Sequence, residues 1–558
     1  MTGLAAEPGL AADSTEGAGR PVWLLGATER RLLAFLVIAF LVWAGAFIWR
    51  TSFIADGRRV FCLVDDGMVS MRYARNLAHG FGLRWNPGGE KVEGFSNPLW
   101  VGAMAGLHFL PLPSRLMSLP IQLLEMLLLA ANLLAVHKLA VELGVRSSLA
   151  RLAAVGWTAF YYPLDNWSLQ GLEVGPLALI LTHATRLALR SARSGKPSPR
   201  LVWLLGAATF LRLDAALPAA VMLAFVALSR PRSAVRTLGK SWGLLAALLL
   251  AQTACRLAYF GEWLPNTYYL KMTGFPVGLR VLRGLSSVWD FSLTLGVAEV
   301  ALMILVLLFR RRDSRLLLPL AVFGGQLAYS AWVGGDVWEN LGGSNRFVAV
   351  AMPLFFVAAA AALETLGESA LATIRALAAR MTRSAPRRLA HVAVALLAIA
   401  YLARVNASRN PAAVRESLLL TPPPMTAWKV SEFKRGRLVE RLSLPSARVA
   451  VVSAGTIPYF VEREYVDMLG KSDRHLARME ARVRYWAGEG RAFVPGHLKW
   501  DYGWSIGTLR PDVVAALWWA PREAAPFLDR DYESVVQDGI EIWLRRDSTR
   551  LAARSGAP

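Results

Sequence analysis

Long apolar stretches separated by short loops rich in arginine dominate this sequence. A helix needs about 20 apolar residues to cross a bilayer core of about 30 Å. The pattern therefore predicts a polytopic α-helical membrane protein with about eleven transmembrane helices. The apolar stretches cover residues 32–49, 116–141, 149–164, 174–189, 201–211, 215–228, 242–259, 293–309, 316–333, 347–366 and 389–402.

The composition excludes several other classes of protein. Only 18% of the 558 residues are charged and 55% are hydrophobic, whereas soluble domains carry about 25% charged residues. The net charge of +22 does not indicate a nucleic-acid partner, because the basic residues interrupt apolar stretches instead of clustering on a polar domain. Two cysteines, Cys62 and Cys255, are too few for a disulfide framework.

The distribution of Lys and Arg predicts the orientation in the membrane, since short cytoplasmic loops carry an excess of both. Residues 1–29 resemble a disordered cytoplasmic tail, and Arg30 and Arg31 precede an uncleaved first helix. The predicted outer segments are residues 50–97, 165–173, 261–290 and 334–346. The residues predicted to be cytoplasmic are Lys138, Arg146 and Arg151; Arg190, Arg193, Lys196 and Arg200; Arg230, Arg232, Arg236 and Lys240; Arg310, Arg311, Arg312 and Arg315; and Arg380, Arg383, Arg387 and Arg388.

Two further expectations complete this topology. Residues 98–112 form a re-entrant or interfacial segment, and the two short stretches at 201–211 and 215–228 form a helical hairpin that turns near Arg212 and Asp214. The transmembrane domain then covers residues 30–404, and an odd number of spans places residues 405–558 outside the cytoplasmic (inner) membrane. We expect this C-terminal region to be an α/β domain, with strands in 448–454, 512–517 and 533–544 and a helix over 473–486.

The first outer loop, residues 50–97, carries the most informative polar residues. Asp66 suits the N-cap of a helix that ends at Gly80, with Val69, Tyr73 and Leu77 on one face, which predicts an amphipathic helix at the membrane surface. A carboxylate near a bilayer can have a raised pKa and act as a general base. A purely structural role, in which Asp65 and Asp66 only cap the helix, remains open at this point.

The loop continues with Gly-x-Gly at 80–82, Asn-Pro-Gly at 86–88, Val-Glu-Gly at 92–94 and Ser-Asn-Pro-Leu-Trp at 96–100. Together with the two aspartates and the short helix, this pattern resembles the first outer loop of GT-C glycosyltransferases. It is most similar to the group whose members add terminal β-(1→2)-arabinofuranose to cell-wall polysaccharide. Further similar motifs lie at 168–173, 264–271, 334–336, 344–347, 455–460, 467–470 and 495–502.

The resemblance implies an enzyme that takes a sugar from a polyprenyl-phosphate carrier and passes it, with inversion, to a hydroxyl of a cell-envelope glycan or glycolipid. It also implies that an aspartate of the first outer loop is the base, and we expect Asp65 in this role because Asp66 suits the helix cap. A phosphate leaving group requires fixed cations. The candidates on the outer side are Arg72, Arg212, Lys271 and Arg346, although a basic residue at a helix end more often extends to lipid headgroups.

The same motifs supply candidates for binding the acceptor or the sugar, namely Trp85, Glu93, Asn97, Glu173, Asn266 and Asp336. We expect no obligatory metal ion, although a divalent cation would find oxygen ligands in Asp65, Asp66 and Glu173. Two other functions remain open: a transporter or flippase of lipid-linked saccharides, and a non-catalytic assembly protein. Against the first, the sequence has no evident internal repeat, and its charges gather at helix ends.

Overall fold

The structure of the protein is a computed structural model. It describes residues 26–552 except 195–197, 230, 297–299, 302, 305–313, 338, 340–344, 379–384, 408–411 and 483–493. The first 25 residues of the predicted tail therefore lie outside the described residues, as do several residues predicted to be cytoplasmic. These are Lys196, Arg230, Arg310, Arg311, Arg312, Arg380 and Arg383.

Helices make up the N-terminal three quarters of the protein, as the apolar stretches predict. Three of the described helices, Ala27–Thr51, Ser114–Glu142 and Gly239–Phe260, are long and apolar enough to cross a membrane. The helices up to residue 407 are α1 (Ala27–Thr51), α2 (Asp65–Ala78), α3 (Pro98–Leu107), α4 (Ser118–Glu142), α5 (Ser148–Ala159), α6 (Tyr162–Leu169), α7 (Val174–Ser194), α8 (Pro199–Leu211), α9 (Ala216–Leu228), α10 (Pro231–Phe260), α11 (Asn266–Met272), α12 (Val277–Leu295), α13 (Leu317–Val333), α14 (Arg346–Ala349), α15 (Met352–Ala378) and α16 (Ala385–Ala407).

Two details of the predicted topology are present in the structure. Helix α3 has 10 residues and is therefore about 15 Å long, too short to cross a bilayer. Helices α8 and α9 form the expected hairpin, with Arg212 extended and a single 3-10 turn over Leu213–Ala215 between them. The hairpin places the Arg212 side chain at its tip, where it reaches Asp214 and Glu173.

Helix α2 differs from the predicted amphipathic surface helix. It begins at Asp65 with Val64 as its N-cap residue, so Asp66 lies in the first turn and does not cap the helix. Its residues from Gly67 to Ala74 are all buried, and Leu77 alone of the predicted apolar face is exposed. These residues are buried because α2 contacts both α3 and the C-terminal domain.

The C-terminal domain contains the predicted sheet. Its strands are β3 (Arg448–Val451), β4 (Glu464–Asp467), β5 (Val513–Val514), β6 (Tyr532–Gln537) and β7 (Ile540–Arg545), whereas β1 (Phe53–Ala55) and β2 (Arg58–Val60) form a hairpin in the first outer loop. The order is β4-β3-β5-β7-β6, with β3 parallel to β4 and β5 and the last two pairings antiparallel. Asp538 and Gly539 form the tight turn between β6 and β7 with positive φ angles, as the glycine predicts.

The helices of this region are α17 (Ala412–Ser417), α18 (Pro424–Leu442), α19 (Thr456–Phe460), α20 (Arg474–Arg478) and α21 (Ala525–Asp531). The helix predicted over residues 473–486 is wrong in length, because Met479 adopts an extended conformation and ends α20. The domain packs against the helical domain through one continuous apolar core. Val449, Ile457 and Tyr459 belong to the same buried cluster as Phe47 and Met68.

Candidate active site

Asp65 and Asp66 face different parts of the protein, as two adjacent residues on a helix must. The Oδ1 of Asp65 accepts hydrogen bonds from the backbone N–H groups of Gly455 (3.2 Å) and Thr456 (2.9 Å) at the start of α19. Desolvation raises the pKa of Asp65 above its usual value, although the charge of Lys471 and these N–H groups oppose it. Asp65 thus joins α2 to the C-terminal domain.

Asp66 lies among cations. Arg346 Nη1 is 3.0 Å from its Oδ2, and the Nζ of Lys471 contacts its Oδ1. Desolvation alone would raise the pKa of Asp66, but the charges of Lys471, Arg346 and Lys271 outweigh it and hold the pKa well below its usual value. The side chain of Asp66 is nevertheless 23% exposed, so it is accessible from the cavity that it lines.

A cavity of about 300 Å³ lies beside Asp66, between the first outer loop, the α8–α9 hairpin, α11, the C-terminal end of α13 and the start of α14. Its wall on the α13 side is apolar and aromatic, with Tyr329, Trp332 and Val333. The cavity brings together seven of the residues predicted from the sequence although they come from six separate segments. These are Asp66, Asn97, Glu173, Arg212, Lys271, Asp336 and Arg346.

Most of the cations that line this cavity are already paired with carboxylates. Arg212 lies 2.7 Å from Glu173 and 3.0 Å from Asp214, and Asn97 donates a hydrogen bond of 2.7 Å to Glu173. Arg346 Nε is 2.9 Å from Asp336. These pairs hold Arg212 and Arg346 in fixed positions at the cavity wall, where charge-assisted contacts to an anion cost little reorganisation.

Lys271 differs from the other cations at the cavity. Among the residues that the structure describes, no carboxylate lies within the 4 Å of an ion pair with its ammonium group. Desolvation lowers the pKa of Lys271 to about 8, with the charge of Arg346 as the next cause. An anion that enters the cavity would supply the partner that Lys271 lacks.

Lys471 is the residue at this site that the sequence analysis missed. Two sets of hydrogen bonds hold its loop in place. Asp467 accepts hydrogen bonds from the N–H groups of Leu469, Gly470 and Ser472. Asn266 Nδ2 donates to the carbonyl oxygens of Gly470 and Lys471, at 2.9 Å each.

Gly94 of the Val-Glu-Gly motif completes this support. A Cβ at Gly94 would lie 3.0 Å from the Lys471 carbonyl oxygen and 2.7 Å from the Tyr73 hydroxyl, closer than side chains tolerate. Three of the motifs that resemble the GT-C family, at 92–94, 264–271 and 467–470, therefore help to fix the position of Lys471. The motif at residues 467–470 ends one residue before Lys471. The position of this lysine directly after the motif was the signal from which it could have been predicted.

Besides Asp65, four of the predicted site residues do not line this cavity. Arg72 is 1% exposed and donates hydrogen bonds to the carbonyl oxygens of Trp85 and Pro458, so it is engaged away from the cavity, and its role as a phosphate ligand stays a prediction. Trp85 is buried and donates from Nε1 to Ala454 O at 3.0 Å, which leaves no free face for a sugar. Both residues lie where the first outer loop meets the C-terminal domain, which explains why neither lines the cavity.

The other two predicted residues also have structural roles. Glu93 is buried in an ion pair with Arg256, with 2.5 Å between Glu93 Oε2 and Arg256 Nε. Asn266 is buried and fully engaged with the loop that carries Lys471. Glu93 and Asn266 therefore have their polar groups satisfied by protein partners, and their contact with a sugar stays a prediction.

Within the described residues, no group of three or more His, Cys, Asp and Glu side chains is close enough together to hold a metal ion. Asp66 is instead neutralised by Arg346 and Lys471. The expected independence of metal ions stays a prediction.

Comparison with known proteins reveals similar folds but little similarity in sequence. No curated protein matches the chain, and residues 426–549 match a family described as a domain of unknown function, DUF8728. ArnT from Cupriavidus metallidurans, bound to undecaprenyl phosphate, is similar in structure with a TM-score of 0.54 and 12% identity, over 93% of this chain and 98% of that chain.

The archaeal oligosaccharyltransferase AglB from Archaeoglobus fulgidus, in complex with an inhibitory peptide and a dolichol-phosphate, is also similar. Its TM-score is 0.53 and its identity 12%, over 94% of this chain and 75% of that chain. Both proteins are GT-C glycosyltransferases. This protein therefore has the GT-C fold, with a helical membrane domain and a C-terminal sheet domain that meet at Asp66.

Proposed function

We propose that this protein is a membrane glycosyltransferase that moves a sugar from a polyprenyl-phosphate carrier to an acceptor hydroxyl. The observation that carries the proposal is the cavity where Asp66 lies among Arg346, Lys471 and Lys271. Such a site suits an anionic phosphate and a hydroxyl that must lose its proton. The undecaprenyl phosphate bound to ArnT and the dolichol-phosphate bound to AglB support a carrier of this class.

In the proposed reaction, Asp66 is the general base, in place of the Asp65 that the sequence favoured. The carboxylate of Asp66 takes the proton of the acceptor hydroxyl while the hydroxyl oxygen attacks the anomeric carbon. The bond between that carbon and the phosphate oxygen breaks, and its electron pair leaves with the polyprenyl phosphate. Lys271, Lys471 and Arg346 stabilise the charge that develops on the phosphate oxygens, and attack opposite the leaving group inverts the anomeric carbon.

An anionic donor would also change Asp66 itself. Lys471 and Arg346 hold its pKa low in the free protein, which makes it a weak base. A phosphate that draws these cations toward its own oxygens weakens their hold on Asp66, so that the desolvation already present raises its pKa. Donor binding thus makes Asp66 a stronger base, and we expect the donor to bind before the acceptor.

The proposed membrane arrangement has about eleven spans, a cytoplasmic N-terminus, and the catalytic cavity and C-terminal domain outside the cytoplasmic membrane. Its support is the contrast between the two ends of the helices. Arg151, Arg186 and Arg190 gather at the end of α4, α5 and α7 that lies away from the cavity, where they pair with Glu29 and Glu142. Arginine-rich ends of this kind are typical of the cytoplasmic side.

For the sugar we propose arabinofuranose, and for the acceptor a cell-envelope glycan or glycolipid. This finer assignment rests on the motifs of the first outer loop, such as Val-Glu-Gly at 92–94 and Ser-Asn-Pro-Leu-Trp at 96–100. Mass spectrometry of the lipids that co-purify with the protein tests it directly. A polyprenyl-phosphate pentose is the expected lipid, and a hexose-bearing lipid would contradict the assignment of the sugar while leaving the class of carrier in place.

The activity itself is tested with purified protein in nanodiscs, given polyprenyl-phosphate monosaccharides and a glycan extract. Release of polyprenyl phosphate, measured by mass spectrometry, is the expected result. The release should fall at least about 100-fold in Asp66→Ala. Full activity of both Asp65→Ala and Asp66→Ala would contradict the proposal. Movement of the intact lipid across proteoliposomes without cleavage would instead support a flippase.

A further inference from the structure

A second, smaller cavity also borders Asp66. Its volume is about 60 Å³, and Asp66, Arg346 and Lys471 border both cavities. The larger cavity contains Lys271 and Arg212, whereas the smaller one is lined mainly by the C-terminal domain. Two cavities with different linings therefore share one carboxylate, as the transfer of a group between two substrates requires.

Tryptophans form the wall of the smaller cavity. Trp167 at its base is 1% exposed and lies beneath the Arg346 guanidinium, while Trp428 on α18 is 43% exposed and Trp518 is half-buried. Trp518 is held in place, because its backbone N–H donates to the Tyr502 hydroxyl at 2.9 Å, its indole N–H donates to the His497 carbonyl oxygen at 3.1 Å, and its ring stacks on Trp519. Large rigid aromatic faces at a cavity mouth suit the flat apolar face of a ring ligand that also carries polar groups.

The size of the cavity limits how far a ligand can enter. A volume of about 60 Å³ corresponds to about two water molecules, which is room for one hydroxyl and its carbon but not for a sugar ring. A ring that rests on Trp428 and Trp518 would therefore stay at the mouth, while a single hydroxyl extends to Asp66. The donor phosphate would occupy the larger cavity, beside Lys271.

We propose that this smaller cavity is the acceptor subsite and that it binds a carbohydrate, with the sugar ring against Trp428 and Trp518 and one hydroxyl at Asp66. The proposal rests on the glycosyltransferase function proposed above and adds the place where the acceptor binds and the residues that contact it. Both tryptophans lie within the domain of unknown function at residues 426–549. The role of that domain in this chain is then to hold the acceptor and to supply Lys471.

The test uses the full-length protein in nanodiscs on an array of immobilised oligosaccharides. Trp428→Ala and Trp518→Ala are compared with Trp203→Ala, a control on α8 whose side chain is 58% exposed and borders neither cavity. We expect each cavity variant to lose about tenfold in affinity for the oligosaccharides that the wild type binds. The control variant should bind like the wild type.

Binding of undecaprenyl phosphate serves as the second measurement and should be unchanged in all three variants. This separates a lost acceptor subsite from a misfolded protein. The proposal is overturned if the wild type binds no oligosaccharide, or if Trp428→Ala and Trp518→Ala bind as tightly as the wild type does. The glycosyltransferase function would survive that result if the wild type still cleaves a polyprenyl-phosphate sugar, and it would fail if no donor is cleaved.

Discussion

Exchanging each of the two adjacent aspartates for asparagine separates a catalytic role from a structural one. Asp66→Asn removes the proton acceptor but keeps the size of the side chain and an oxygen that faces Arg346 and Lys471. Arg346 retains Asp336 at 2.9 Å, so only Lys471 loses its main charged partner. A general base contributes about 10² to 10⁴ in rate, which is about 2.7 to 5.4 kcal/mol of transition-state stabilisation.

Asp65→Asn is the matched control. Its amide oxygen can still accept hydrogen bonds from the N–H groups of Gly455 and Thr456. The pKa of Asp65 is raised in the folded protein, so the folded state holds its proton more tightly than the unfolded chain does. The contribution of Asp65 to stability is therefore present below the unfolded pKa and is lost as the pH rises through the folded pKa. At neutral pH the uncharged asparagine should unfold at the same temperature as the wild type or at a higher one.

The assay measures kcat for polyprenyl phosphate release in nanodiscs, together with the melting temperature of each variant. We expect kcat to fall at least about 100-fold in Asp66→Asn and to change by no more than about threefold in Asp65→Asn. A loss of 100-fold in Asp65→Asn with a nearly active Asp66→Asn would refute the assignment of the base. Equal large losses at unchanged melting temperatures would show that both carboxylates take part in the chemistry.

Four further outcomes are expected. Donor affinity should weaken as the pH rises above about 8, where Lys271 loses its proton, and in Lys271→Arg a binding titration should show no such weakening in this range. Lys471→Met should raise the Kd for donor by about 10- to 100-fold, the loss of one charge-assisted contact, while equal affinity would remove Lys471 from the phosphate site. Gly455→Ala should lower the melting temperature and the activity together, because its Cβ would collide with the backbone of Asp65; Gly436→Ala, in a helix with its nearest contact at 3.4 Å, should be neutral or stabilising by about 1 kcal/mol. Activity should persist in EDTA, and its loss, restored by one divalent ion, would contradict metal independence.

The positions of the helices follow from local features of the sequence. The apolar stretches predict them, and the short α3 and the hairpin at Arg212 also match the structure. The α/β character of the C-terminal region was likewise evident from its strands and from the glycine turn at Gly539. Hydropathy and turn residues act over a few neighbours, so a sequence reveals them without knowledge of distant contacts.

The candidate site was predictable in part for the same reason. Cations at predicted outer helix ends share one predicted side of the membrane, and that placement favoured Arg212, Lys271 and Arg346, whereas the family resemblance pointed to Asp65 and Asp66. Arg72 and Trp85 are on that side too, yet they are buried under the C-terminal domain. The sequence placed these residues on one predicted side of the membrane but gave no measure of how the domain covers the loop.

What the sequence determined by itself is the membrane architecture and the segment that carries the acidic residues. Only the tertiary structure decided which aspartate faces the cavity, because the contacts of Asp65 with Gly455 turn that side chain toward the C-terminal domain. It also brought Lys471 to Asp66 across 405 residues of sequence. Contacts of that kind depend on how two domains pack, and no local periodicity or spacing encodes their geometry.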